Sequence, residues 1–227
     1  MTRSVMVFSP HFDDESIGPG GAIARHIAEG DRVVVVFMTR GDTGNMMPGH
    51  EADAVRNEIV RKAEATAALK ALGGAEQVYL DLVDGFMRWE ADTVRSLVRL
   101  IRKHRPSVVY APHADDAHSD HQATHQMVRD ALPRASWNVW SELGAESWAV
   151  ERIRYYEVWM TPILRPNLFI DISAVVERKS AAIEQYASQL AAVSYTDAAL
   201  GLNRYRGAMG AGVRYAEAFI DASVTTL

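Results

Sequence analysis

The chain predicts one α/β domain on a doubly wound, mostly parallel, Rossmann-like sheet, and three observations carry that prediction. Short β-branched runs alternate with helix-forming stretches along most of its 227 residues. Those runs are continuously apolar, as in strands covered on both faces. The hydrophobic fraction, 48%, is ample for one sizeable core in a chain of this length. In such a sheet ligands bind outside the carboxyl ends of the strands, so chemistry is expected in the loops that follow them.

Taken in order, Val5–Ser9 followed by Pro10, and the run RVVVVFMT at Arg32–Thr39, read as buried parallel strands. Between them GGAIARHIAEGD sets Ile23 and Ile27 one helical turn apart and closes on Gly30, a glycine stop. Ala52–Leu72 is rich in helix formers and ends at Gly73-Gly74, after which QVYLDL reads as a strand. Ala91–His104 is an amphipathic helix stopped by Pro106, SVVYAP is a strand, and HSDHQATHQMVRDAL is the helix after it. In the last third RYYEVWMT and NLFIDI read as strands and Ser173–Leu190 as a helix, and RGAMGAGVRYAEAFI is glycine-rich before a closing apolar segment. Gly-Pro-Asn clusters near 40–50 and 201–212 read as long loops, which in compact domains are often functional. No repeat or low-complexity linker interrupts the chain, so residues 1–227 are expected to form a single domain.

Composition removes several function classes. The net charge is -5 with Lys and Arg scattered, which gives no footprint for a phosphate backbone, so nucleic acid is not expected as a partner. With no cysteine, any metal must sit on His and carboxylate. The opening MTRSVMVFSPH holds only a short apolar run, VMVF, too short for a signal or a membrane span, so the expectation is a cytoplasmic protein with no membrane partner. A homo-oligomer is left open.

Residues 9–21, SPHFDDESIGPGG, place a histidine and three consecutive acids directly after the first strand. Adjacent like charges repel, and a loop made only to turn would use Gly, Pro, Asn or Ser. The missing partner is a cation. A second loop, APHADDAHSDHQATH, follows SVVYAP and emerges at the same sheet edge, bringing His113, Asp115, Asp116, His118, Asp120, His121 and His125 toward one cavity. His118, His121 and His125 share a helix face. A catalytic zinc takes three His or carboxylate ligands and leaves a fourth position open. His11 and Asp14 with His121 would supply that set, and a carboxylate left unligated beside the metal's water is where a general base belongs. Asp13 and Asp14 are also common helix caps, and without the second loop capping would be the stronger reading.

These residues resemble the zinc-dependent N-deacetylases of the LmbE and PIG-L family, which open with PHPDDE and later show HPDH. Here the motifs stand as Pro10-His11-Phe12-Asp13-Asp14-Glu15 and His118-Ser119-Asp120-His121. RKAEATAALKALG at 61–73 is similar to the family's Arg-x-x-Glu helix, LVDG at 82–85 to its LPDG-type turn, and KSAAIEQYASQ, YRG and YAEAF to its C-terminal signature. The resemblance implies His11, Asp14 and His121 as ligands of Zn²⁺, with Fe²⁺ or Co²⁺ as alternatives. It further implies Asp13 as base and then acid, His118 as oxyanion stabiliser, and Asp120 as holder of a histidine tautomer. The substrate it implies is a small glycoside, an N-acetylglucosamine-type sugar or glycoconjugate that loses its acetyl group. Asp42, Arg61 and Asp116 are candidates to bind sugar hydroxyls, with Arg61 alternatively bracing the loop. Phe12 and Ser119 replace the family's prolines, which touches loop rigidity and the shape of a sugar pocket beside Phe12. Asp116 stands where some members carry a tyrosine.

Two rivals remain. Gly18-Pro19-Gly20-Gly21 imitates a dinucleotide fingerprint, with Asp42 roughly where a ribose-binding acid would stand, and points to a nucleotide-binding oxidoreductase. Against it, Ile23 occupies the third glycine's position. A noncatalytic sugar-binding relative is the other. Trp137, Trp140, Trp148 and Trp159 are candidates for a sugar-stacking wall or for core packing.

Overall fold

The computed structural model describes residues 2–43, 53–144, 146–158, 161–191 and 193–224. The first two thirds run β1 (Ser4–Ser9), α1 (Asp14–Ile17), α2 (Gly20–Ala28), β2 (Arg32–Thr39), α3 (Ala54–Leu72), β3 (Glu76–Leu82), α4 (Ala91–His104), β4 (Val108–Pro112) and α5 (Ser119–Ser136). The remainder runs β5 (Arg152–Tyr156), β6 (Leu168–Asp171), α6 (Val176–Ile183), α7 (Ala187–Leu190), α8 (Tyr195–Arg206) and β7 (Ala216–Ser223). Seven strands form one sheet in the order β3-β2-β1-β4-β5-β7-β6. The pairings from β3 through β5 are parallel, whereas β7 is antiparallel to both β5 and β6.

Why the central strands read as unbroken apolar runs is visible in their two faces. Val5 and Val7 of β1, with Val33, Val35 and Phe37 of β2, pack under α2, α3 and α6. Met6 and Phe8, with Val34, Val36 and Met38, pack under α4 and α5. Each face buries a layer of helices, so no position on these strands can be polar without a partner. Among the described residues no helix is long and apolar enough to cross a membrane.

The last third departs from expectation in three places. The stretch near 201–212 is no long loop: α8 buries Tyr195, Ala199 and Asn203 at a four-residue spacing and runs on into a π-helical turn at Gly207–Ala211. The expected helix Ser173–Leu190 is split into α6 and α7, because Tyr186 leaves the helix and points its hydroxyl at Glu15, 2.7 Å away. The strand expected at 154–161 starts at Arg152 and stops at Tyr156, after which the Glu157 carboxylate accepts the Ile163 N–H and pairs with Arg206. Ala52, the Met46–Gly49 stretch, His50 and Trp159 lie outside the described residues.

Candidate metal centre

β1 and β4 are parallel neighbours, so the loops that follow them leave the sheet at the same edge, and there His11 meets His121 across 110 positions of sequence. The His11 Nδ1 atom lies 3.3 Å from Asp14 Oδ2, His121 Nε2 lies 3.1 Å from the same oxygen, and the two histidine nitrogens are 3.2 Å apart. An ion with tetrahedral bonds of about 2.0–2.1 Å sets its ligand atoms about 3.3–3.4 Å from one another. The triangle therefore fits three corners of such a site. Asp14 Oδ1 is buried and has no hydrogen-bond partner among the described residues, so the ligand-bearing carboxylate is itself only half satisfied by protein. The donor set, two imidazoles and a carboxylate, suits a divalent metal.

Each histidine turns its other nitrogen toward a carboxylate. His11 Nε2 lies 3.0 Å from Asp120 Oδ2 and 3.2 Å from Asp84 Oδ1. His121 Nδ1 lies 3.0 Å from Asp116 Oδ2. A proton held on that outer nitrogen frees the inner one to ligate and raises its basicity. His11, Asp84 and Asp120 also group closely enough to hold an ion. However, the Asp120 oxygens already accept the Gly85 and Met87 N–H groups at 2.7 and 3.0 Å, which leaves the Nδ1 side of His11 as the open one. A distant grouping, His26, Glu29 and Asp31, is already paired with Arg3 and Arg25.

His118 stands as N-cap of α5, its Nδ1 accepting the Asp120 N–H at 3.1 Å. The accepting nitrogen carries no proton, so the neutral ring holds its proton on Nε2 and is a donor there. Its ring centroid is 4.7 Å from that of His11 and 5.2 Å from that of His121. Burial, and then the charges of His11 and His121, lower its pKa, which keeps it neutral.

The adjacent aspartates are held very differently. Asp13 has a backbone φ of 116°, a left-handed value costly for a residue with a Cβ, and its side chain makes no helix-capping bond. The capping alternative therefore fails for it. Its carboxylate lies 3.4 Å from Arg61. Burial pushes the Asp13 carboxyl up to about 8, against the opposing charge of Arg61 and helped by that of Asp14. Burial acts upward on Asp14 as well, but the charge of His121 and hydrogen bonds from both histidines hold it well below the usual carboxylate range. His121 shows the converse: burial lowers it, and Asp14 and Asp116 outweigh burial to bring it up to about 9.

The three residues expected to line a sugar pocket each make contacts within the protein. Arg61 is 2% exposed, donates to the Phe12 carbonyl and faces Asp13, so it braces the loop from beneath. Asp42 accepts from Arg40 at 2.8 Å and from the Asp84 N–H at 3.3 Å, which leaves it engaged by the protein. Asp116 accepts the His118 N–H at 2.9 Å and faces His121. Phe12 is fully buried against Phe37 and Tyr79, a core residue rather than a pocket wall. Trp148 donates to the carbonyl of Pro106, which precedes β4, and the backbones of Trp137 and Trp140 receive Arg102 from the end of α4, so these indoles sit toward the opposite edge of the sheet. His113 donates to the Thr161 carbonyl at 2.7 Å and His125 to the Pro112 carbonyl at 2.9 Å. Asp84 was missed, although LVDG marked a turn right after a strand at this edge.

The dinucleotide rival meets an occupied site. The Gly21 and Ala22 N–H groups at the start of α2, where a pyrophosphate would bind, donate to the two oxygens of Glu217 at 2.7 and 2.8 Å. A Cβ on Gly21 would lie 2.5 Å from Ile172 and one on Gly18 2.7 Å from the Tyr156 ring, so these glycines admit the last third of the chain, not a nucleotide.

A family model described as PIG-L, GlcNAc-PI de-N-acetylase, matches residues 6–132. A 1D-myo-inositol 2-acetamido-2-deoxy-alpha-D-glucopyranoside deacetylase of Mycobacteroides abscessus is 30% identical, with 83% of this chain and 82% of its own length covered. A diacetylchitobiose deacetylase of Thermococcus kodakarensis is 27% identical, with 82% and 70% covered. The solved structure of a 4-carboxy-2-hydroxymuconate hydratase from Pseudomonas putida superposes with a TM-score of 0.85 at 26% identity, covering 97% of this chain and 96% of that one.

Proposed function

Because the chain belongs to the PIG-L family of de-N-acetylases, we propose that it is a zinc-dependent hydrolase that removes the acetyl group from an N-acetylglucosamine-type sugar or glycoconjugate. The observation that carries the reading is the triangle of His11 Nδ1, Asp14 Oδ2 and His121 Nε2, with edges of 3.1–3.3 Å. When bound there, zinc supplies a Lewis acid that acidifies water and polarises the acetamide carbonyl. Asp13 takes the proton of the attacking water and returns it to the departing amine, a role that suits a carboxyl whose pKa burial has raised. His118, neutral and protonated on Nε2, donates to the oxyanion of the tetrahedral intermediate. Asp120 and Asp116 hold the outer nitrogens of His11 and His121.

The fold alone does not choose the bond, since a hydratase shares it. What favours the acetamido sugar is that the curated relatives from M. abscessus and T. kodakarensis are both deacetylases of such compounds by name. The deciding experiment pairs metal analysis of purified protein with acetate release from N-acetylglucosaminides and from acetyl-lysine peptides. One zinc per chain and preference for the sugar are expected. Iron or cobalt in place of zinc would change the metal, preference for the peptide would overturn the sugar, and acetate from neither would overturn the hydrolase.

A further inference from the structure

Asp13 adopts its left-handed backbone with no glycine to make it easy, so something else must hold it there. Its N–H donates to Glu15 Oε2 at 3.1 Å. The other oxygen of Glu15 accepts the Tyr186 hydroxyl at 2.7 Å and the Ser16 hydroxyl at 2.5 Å. Glu15 is 0% and Tyr186 1% exposed, so this carboxylate has no solvent to turn to. The Arg61 guanidinium lies 5.9 Å from the centre of the Tyr186 ring while it holds the Phe12 carbonyl and faces the Asp13 carboxylate. Two residues on, Ser188 donates its N–H and hydroxyl to the two oxygens of Glu64 at 2.8 and 2.6 Å. Thus RKAE on α3 and QYAS between α6 and α7 are two sides of one buried contact, and the metal loop is held between them.

We propose that Tyr186 and Glu15 are positioning residues for Asp13, a brace by which the last third of the chain sets the general base against the metal. The catalytic part of this rests on the deacetylase reading above; the positioning part does not. Three contacts from two elements converge on Asp13: its N–H on Glu15 of α1, and its carboxylate and the preceding carbonyl both on Arg61 of α3. Tyr186 touches both Glu15 and Arg61, and none of these groups belongs to the ligand triangle. Loosening the brace should misplace the base without emptying the metal site, and small misplacements of a catalytic group cost turnover steeply.

Tyr186→Phe removes a single oxygen and keeps the ring beneath Arg61. Its kcat should fall by about ten- to a hundredfold with KM and metal affinity within about twofold of the parent. Hydrogen exchange of residues 11–17 should quicken by about tenfold or more, because Glu15 loses a partner that fixes it on the Asp13 N–H. Exchange unchanged at 11–17 would overturn the brace, and so would a loss of turnover matched by loss of metal. If the parent protein releases no acetate from any glycoside, the deacetylase reading fails and the exchange measurement alone decides the brace. Should Tyr186→Phe not fold, Glu15→Gln preserves the buried volume and one acceptor oxygen, and the same two measurements apply with the same expected directions.

Discussion

Asp14 is shared by two histidines at 3.1 and 3.3 Å while its neighbour Asp13 faces Arg61 at 3.4 Å, and substitution should separate them. Asp13→Asn should keep the metal and lose about 10²- to 10⁴-fold in turnover, since an amide cannot take the water's proton. Asp14→Asn should lose the metal itself, read by metal analysis of the purified variant. Asp116→Asn should weaken metal affinity by about 10- to 100-fold through the tautomer of His121, measured by chelator competition. The raised His121 sets a pH dependence whose sign follows from its partners. In the metal-free protein its proton, held up to a pKa of about 9, must leave before Nε2 can ligate. His11 is raised as well, burial being outweighed by its bonds to Asp120, Asp14 and Asp84, so metal affinity should strengthen by at least about tenfold per pH unit from neutral pH toward about 9, with proton release visible by calorimetry in buffers of different ionisation enthalpy. The same shift of His121 stabilises the metal-free fold fully below the unfolded value of 6.5 and loses that contribution as pH rises through about 9. Residue types and loop positions pointed to His11, Asp13, Asp14 and His121 as candidates, and the structure brings them together. Asp84 and the real partners of Arg61, Asp42 and Asp116 were not legible in the chain, because a buried carboxylate or guanidinium looks the same in sequence whether it faces substrate or protein.

The start of α2 shows the same limit one level up. Its glycine-rich opening was legible as a close approach of backbone, but the approaching group, Glu217 of β7, lies almost two hundred positions away. Glu217 also pairs with Lys179 at 2.6 Å, and both are nearly or fully buried. Lys179→Met should cost about 3–5 kcal/mol in denaturant unfolding, because it strands the Glu217 charge in the interior. A larger cost for Lys179→Met than for Lys62→Met, where the lysine is only half-buried, is the observable, and equal costs would show that the pair is not held as described. β1, β2, β4 and the helices α3, α4 and α5 were read close to their observed bounds, since long periodic or wholly apolar runs are decided by local pattern. The break at Tyr186 and the helix α8 were not, because what ends or begins them is a hydroxyl seeking Glu15 and a face seeking β7.

Across the whole molecule, all proposed ligands fall within the residues matched by the family model, 6–132, yet Tyr186, which holds Glu15 behind the metal loop, and Lys179, which donates to the Gly18 carbonyl, come from beyond it. A truncation ending at residue 150 retains His11, Asp14 and His121 and should still fail to bind zinc, because β5, which pairs with β4 under the second loop, and the Lys179–Glu217 pair behind α2 are gone and the fold that holds the two loops together is lost. Circular dichroism and metal titration of that fragment check it, and zinc binding at parental affinity would show that the closing third is dispensable to the site. By itself the sequence determined the α/β class and the gathering, at one sheet edge, of a His-Asp set of the kind that suits a divalent metal. These rest on local periodicity and on residue types with little other use in company. Tertiary structure alone decided which nitrogen of each histidine faces inward, which aspartate is braced by Arg61, and that the last third closes over the loop. Each of those choices is made by a partner far away in the chain, and a hydrogen bond or a buried charge depends on position in space, which local pattern does not encode.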